Sequence, residues 1–296
     1  MSDITLSTPL VSAQWLKNNW GRDGLKIVDT TYTLPFLNPE KNGAQLYEEA
    51  HIPDAIFFPL DEIADTSSDL PHMLAPDIQF SAQMSELGLS SSDAIVVYDQ
   101  NGWVASARVW WNLRMMGHTN VAVLNGGLKA WKAANGAVVS GKIKDAKGGI
   151  FHAKPNPALV RDIEDMRQHV KAQDVQILDA RNAARFKGEA AEPRAGLKSG
   201  HMPGAFNLTH AALIREDNLL KDKHDLYDVF AASGLDLDKP IVTTCGSGIT
   251  ASVLALGLAV IGRDDVAVYD GSWSQWGGAD NCPVATGEAQ MNGQTT

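Results

Sequence analysis

The chain carries the same run of sequence twice, and that duplication restricts its fold more than any other feature. Lys26-Ile27-Val28-Asp29 matches Gln176-Ile177-Leu178-Asp179, and His51-Ile52-Pro53-Asp54-Ala55 matches His201-Met202-Pro203-Gly204-Ala205, both at an offset of 150. Val96-Val97-Tyr98-Asp99 matches Val242-Thr243-Thr244-Cys245 at 146, and Leu124-Asn125-Gly126-Gly127 matches Tyr269-Asp270-Gly271-Ser272 at 145. Four blocks in one order at nearly constant spacing point to two copies of one domain. A solenoid repeat would run only about 20–50 residues. The length of 296 residues fits about two domains. The expected division is 1–140 for the first copy, 141–157 for a polar linker rich in Gly and Pro, and 158–296 for the second.

Within each copy, short apolar runs alternate with helical patterns. Leu25–Asp29, Ala94–Asp99, Val121–Leu124, Gln176–Asp179, Ile241–Thr244 and Val266–Tyr269 read as buried strands. Ser12–Asn19, Ala105–Met116, Ile163–Lys171 and Thr250–Val260 read as helices. The expected class is α/β: two duplicated domains, each a mainly parallel sheet with helices on both faces. Sites in such sheets form at the carboxyl ends of strands. Asp179, Cys245 and the Asp270-Gly271 turn fall at such ends.

Charge narrows the partners. Lys and Arg total 25 against 35 Asp and Glu, a formal net charge of −10. Such a chain is a poor partner for nucleic acid or an anionic membrane. The N-terminus has neither a basic cluster nor a long apolar run, so it reads as no targeting segment. The longest apolar candidate, Val253 to Ile261, falls far short of the roughly 18–20 residues of a membrane span. Two cysteines, Cys245 and Cys282, suit a reducing compartment, and the expected location is cytoplasmic. No metal or other cofactor is called for.

Cys245-Gly246-Ser247-Gly248-Ile249-Thr250 lies between a strand and a helix. Its glycines let the loop curl tightly. A curled loop aims successive N–H groups at one point, and the helix N-terminus adds partial positive charge. Both stabilise a thiolate, the nucleophilic form of cysteine, and equally the terminal sulfur of a persulfide. Most free cysteines are inert core residues, but a strand-end position at the mouth of a Gly-rich turn is not typical core.

On these residues the chain resembles the rhodanese superfamily over nearly its whole length, and in particular the tandem-domain members. Those carry the active cysteine in the C-terminal copy and an aspartate at its N-terminal counterpart, here Asp99. The uncharged Cys-Gly-Ser-Gly-Ile-Thr loop is similar to that of members using 3-mercaptopyruvate, with Ile249 in place of the more usual Val. Thiosulfate-preferring members place basic side chains there. The resemblance implies transfer of sulfur from 3-mercaptopyruvate to Cys245 with release of pyruvate, then passage to cyanide, a thiol or reduced thioredoxin. It implies catalytic roles for Cys245, Ser247, Asp61 and His72, and donor binding by Arg185, Arg194, Gly246, Gly248, Ile249 and Thr250. Pro59 departs from the family, which often has Asp there. Phosphatases of this fold need an arginine six residues after the cysteine, where this chain has Ala251.

Side-chain chemistry agrees on the arginines, since a guanidinium fork pairs with a carboxylate in bidentate fashion. Arg185 and Arg194 are expected on one long loop after Asp179, with Arg181 holding Asp179 or the domain frame. Asp61 and His72 are expected on a wall supplied by the first copy. His51 and His201 recur in both copies and read as structural. Cys282 reads as an incidental thiol, with a redox switch as the alternative, and Trp273 and Trp276 as packing near the cysteine loop. Two other functions remain open: a thiosulfate sulfurtransferase, and a non-enzymatic persulfide carrier that docks a partner protein.

Overall fold

The computed structural model describes residues 4–33, 40–142 and 148–289. The same order of elements runs twice. The first copy has β1 (Leu10–Val11), α1 (Ala13–Asn19), β2 (Leu25–Asp29), α2 (Gly43–Glu49), β3 (Ile56–Phe57), α3 (Asp77–Glu86), β4 (Ala94–Tyr98), α4 (Val104–Met115), β5 (Val121–Leu124) and α5 (Gly127–Ala133). The second has β6 (Val160–Arg161), α6 (Ile163–Ala172), β7 (Gln176–Asp179), α7 (Ala183–Lys187), β8 (Phe206–Asn207), α8 (Lys223–Ala232), β9 (Ile241–Thr244), α9 (Ile249–Val260), β10 (Ala267–Tyr269) and α10 (Ser272–Trp276). The sheets have equivalent orders, β1-β5-β4-β2-β3 and β6-β10-β9-β7-β8, and every pairing is parallel.

Strand alternation sends successive side chains to opposite faces. In the first sheet, Ile27, Val96, Tyr98, Ala122 and Leu124 pack against Leu16 of α1, Tyr47 of α2 and Trp131 of α5. The intervening residues turn to the other face, where α4 lies on β4 and β5. In the second sheet, Ile177, Val242, Ala267 and Tyr269 pack on Met166 of α6, Phe186 of α7 and Trp276 of α10. There α9 covers the other face; it is buried from Ala251 to Ala259, as a helix apolar on nearly every side must be, and its one buried hydroxyl, that of Ser252, donates to Gly248 O. Cys282 lies inside this core, only 4% exposed, so it is a packed core residue.

Element ends follow local chemistry. α1 starts one residue later than its pattern indicates because Ser12 caps it, its Oγ accepting from Trp15 N. α6 opens with a reciprocal capping box between Asp162 and Asp165. The two-residue strands β1, β3, β6 and β8 carry no readable period, and only the structure reveals them.

The chain forms two compact units that depart from the simple halves of the sequence. One comprises 1–67, 74–156 and 216–220; the other comprises 68–73, 157–215 and 221–296. In the first unit, Trp103 Nε1 donates to Asn218 O at 2.8 Å and Leu220 N donates to Asn125 Oδ1 at 2.9 Å. Also in that unit, the stretch 149–153 is strapped down by serine hydroxyls: those of Ser90, Ser85, Ser91 and Ser81 accept from the N–H groups of Ile150, Phe151, His152 and Ala153. Among the described residues no helix is long and apolar enough to cross a membrane.

Candidate active site

Cys245 follows β9 directly and is 2% exposed. Gly248, at φ 78°, caps α9 in a left-handed conformation natural to glycine. The loop is held from outside by the first turn of α10. Ser272 Oγ accepts from Cys245 N at 3.2 Å and donates to Tyr269 O at 2.8 Å. Trp273 N donates to Cys245 O, and both the N–H and the hydroxyl of Ser274 donate to Gly246 O. Ser272 itself sits at φ 48°. These bonds occupy loop carbonyls and leave the early N–H groups of α9, which have no intrahelical acceptor, directed at the loop. Ser247, Ile249 and Thr250 complete the turn, with Ser247 and Ile249 buried.

The first copy contains a filled version of this arrangement. Asp99 follows β4 as Cys245 follows β9. Its Oδ1 accepts from Trp103 N at 3.0 Å, and its Oδ2 accepts from Ala105 N, Ser106 N and Ser106 Oγ at 3.3, 3.1 and 2.9 Å. Trp103 caps α4 at φ 76°, close to the 78° of Gly248. Leu128 N donates to Asp99 O as Trp273 N donates to Cys245 O, and Gly127 takes the positive φ of Ser272. The loop before α4 is one residue longer than the loop before α9. A carboxylate therefore sits in the N–H cradle of the first copy, at the position where the second copy has a thiol.

Beside the cysteine loop lies a cluster of two guanidinium groups and two carboxylates. Arg181 is almost fully committed. Nε and Nη2 bind Asp179, Nη2 also binds Gly200 O, and Nη1 binds Glu192 Oε1 at 2.8 Å. Its guanidinium carbon stands 4.0 Å from the Trp273 ring centroid, a cation–π distance. Burial pulls the Arg181 pKa down, but Asp179 and Glu192 outweigh it, and the group ends above its ordinary value. Arg181 is thus part of the frame. Arg185 is not on a long loop: it sits in α7, whose Asn182 cap accepts from Arg185 N at 2.9 Å. A Cβ added at Gly246 would come within 3.2 Å of Arg185 Nη2, which puts this guanidinium against the cysteine loop. Arg194 lies in the turn 193–196 and is half-buried.

His201 holds α7 in place. Its ring stacks on Phe186 at 3.8 Å, and Nδ1 pairs with Phe186 O at 2.8 Å. Burial lowers the His201 pKa, favouring a neutral ring. His51 repeats the arrangement on Tyr47, at 3.9 and 2.7 Å. Both histidines are structural. Asp61 belongs to the first unit, where it lines a cavity of about 270 Å³ with Thr31, Lys41, Phe57 and Pro59. His72 lies in segment 68–73, which groups with the second unit. His72 at φ 62° has a counterpart in Asn218 at φ 69°, and each stands four residues before a helix cap, Pro76 or Asp222. Sequence reasoning missed Glu192, Ser272 and Ser274. The only advance signal for the serines was their place just after the Asp270-Gly271 turn.

Comparison with known proteins adds to this geometry. A profile of the rhodanese-like domain matches residues 12–134 and 162–279. The chain is 38% identical over 308 residues to the mitochondrial thiosulfate/3-mercaptopyruvate sulfurtransferase 1 of Arabidopsis thaliana, covering 97% of this chain and 81% of that protein. It is 38% identical to the 3-mercaptopyruvate sulfurtransferase of Escherichia coli strain K12, covering 94% of this chain and 98% of that one. The crystal structure of an Escherichia coli 3-mercaptopyruvate sulfotransferase superposes with a TM-score of 0.82 at 37% identity, over 90% of this chain and 99% of that chain.

Proposed function

This chain belongs to the rhodanese-like family, as a tandem-domain enzyme of the sulfurtransferase type, and from that premise we propose that it takes sulfur from 3-mercaptopyruvate onto Cys245 as a persulfide. One observation carries the reading: the buried Asp99 carboxylate held by three N–H groups and a hydroxyl in the first copy. A carboxylate oxygen stands two bonds from Cβ, as does the terminal sulfur of Cys–S–S⁻. Asp99 thus has the reach and charge of the proposed intermediate, in a loop built on the same plan. The first copy cannot form a persulfide and is catalytically silent in that sense: it carries no sulfur of its own.

The chemistry balances without an external oxidant. The Cys245 thiolate attacks the donor sulfur, and the donor C–S bond breaks. Its electron pair passes to the enolate of pyruvate, which takes up a proton. Ser247, with His72 and Asp61, moves that proton from the donor thiol to the enolate carbon. An acceptor nucleophile (cyanide, a thiol or reduced thioredoxin) then attacks the terminal sulfur and returns the Cys245 thiolate. Arg185 and Arg194 anchor the donor carboxylate; Gly246, Gly248, Ile249 and Thr250 shape the cradle. No nucleic acid or membrane enters the reaction, and two free thiols fit the reducing cytoplasm.

Thiosulfate is the alternative donor, and two relatives are named for both. The uncharged loop at 246–250 favours the monocarboxylate, because a compact dianion lacks a side-chain cation there. A donor panel with pyruvate detection tests the choice. A higher kcat/KM for 3-mercaptopyruvate than for thiosulfate is expected, and the reverse order would transfer the assignment to thiosulfate. Poor turnover of both, with tight binding to a protein partner, would favour the carrier role.

A further inference from the structure

Glu192 is a buried carboxylate outside the set of residues used above. Its side chain is 2% exposed, yet it receives two arginines. Oε1 accepts from Arg181 Nη1 at 2.8 Å and from Arg185 Nε at 3.2 Å, while Oε2 accepts from Arg185 Nη2. Arg181 is fixed in turn by Asp179, Gly200 O and Trp273. The arrangement runs from a rigid guanidinium, through one carboxylate, to a second guanidinium that is 21% exposed.

The edge of Arg185 that Glu192 takes is informative. A guanidinium offers a carboxylate two forks, one from Nε and Nη2 and one from Nη1 and Nη2. Glu192 occupies the first, so the second stays available, and Nη2 lies at the cysteine loop beside Gly246. The four charges of Asp179, Arg181, Glu192 and Arg185 also cancel, so the cluster does not present bare excess charge to a donor. What it presents is an oriented fork.

We propose that Glu192 is a positioning residue: anchored on Arg181, it holds the outer fork of Arg185 toward Cys245 so that a carboxylate on the incoming molecule is received there. The inference rests on the donor reading above, but its test needs no sulfur donor. Iodoacetate and iodoacetamide both alkylate a thiolate with loss of iodide, and only the first carries a carboxylate. The probe is the ratio of their rates at Cys245, read by peptide mass spectrometry so that Cys282 does not contribute.

In the full-length protein that ratio is expected to exceed the ratio for a free thiol. Glu192→Asp keeps the charge but retracts the contact by one methylene, and should lower the ratio about tenfold, the scale of one charge-assisted hydrogen bond. Arg185→Met should lower it too, and adding Glu192→Asp to Arg185→Met should lower it no further. An unchanged ratio in Glu192→Asp, or an equal fall in both backgrounds, would overturn the proposal. If Glu192→Asp does not fold, Glu192→Gln enters the same cycle, where absence of coupling to Arg185 overturns it. Failure of both variants to fold would assign Glu192 to stability and overturn it as well. Lack of turnover with 3-mercaptopyruvate in the unmodified protein would remove the donor reading alone.

Discussion

Replacing Asp99 with alanine withdraws the carboxylate from the cradle of the first copy, where its consequence can be read without disturbing the chemistry of the second. Three backbone donors, Trp103 N, Ala105 N and Ser106 N, lose their acceptor in a buried loop. The Ser106 hydroxyl can turn elsewhere and is left out. Each buried donor without a partner costs about 1–3 kcal/mol. Water entering the vacated space keeps the sum near the low end, about 3 kcal/mol. For a unit of roughly 150 residues, about 2–4 °C is lost per kcal/mol, so the first unit should melt about 6–12 °C lower. Scanning calorimetry reads this directly. Sulfur transfer by the folded variant should stay within about twofold, because Asp99 touches no reacting atom. A melting shift under about 2 °C would mean the cradle stabilises an anion only weakly, and the case for a sulfur anion in the sister loop would fail with it.

Three further outcomes follow from the same structure. Among the described residues no cation pairs with the buried Asp29, since Thr31 stands where the second copy has Arg181; burial raises its pKa above the usual carboxylate value despite hydrogen bonds from Thr31, Tyr98 and Gln100. The folded state therefore holds the proton more tightly than the unfolded chain, and stability is lost as pH rises from about 4 through the raised pKa. Asp29→Asn should melt higher than the parent at pH 7–8, by a margin that narrows toward pH 4; a lower melting point at pH 8 would contradict this. Arg185→Lys should reduce kcat/KM for 3-mercaptopyruvate about ten- to a hundredfold, because a point charge cannot reproduce the fork. Its effect on an organic persulfide without a carboxylate should be smaller, and equal losses would point to damage of the fold. Gly246→Ala places a Cβ 3.2 Å from Arg185 Nη2 and should raise KM about three- to tenfold with little change in melting temperature; an unchanged KM would detach Arg185 from donor binding.

Much of this was legible in the sequence for a physical reason. Long buried strands such as Ala94–Tyr98 and the predominantly apolar Ile249–Val260 helix announce themselves by pattern, and so does a cysteine between a strand and a Gly-rich turn. The paired blocks of sequence carried the duplication and so the position of Asp99. What stayed hidden depends on tertiary geometry. Nothing in Glu192-Pro193-Arg194 says that the glutamate is buried between two arginines, one just after β7 and one in α7. Ser272 at φ 48° breaks local preference and is compensated by its bonds to Cys245 N and Tyr269 O. The grouping of 68–73 with the second unit cannot be read from spacing, because Asp61 and His72 look like one loop along the chain.

The central claim is that Cys245 carries the sulfur, and mass spectrometry after exposure to 3-mercaptopyruvate, with no acceptor present, tests it most directly. The peptide containing Cys245 should gain about 32 Da, the mass of one sulfur atom, and lose it again when cyanide is added, as a covalent intermediate must. Cys282, packed in the core, should stay unmodified. A Cys245→Ser variant that still releases pyruvate at the parent rate, or a parent protein that turns over without any added mass on Cys245, would contradict the account.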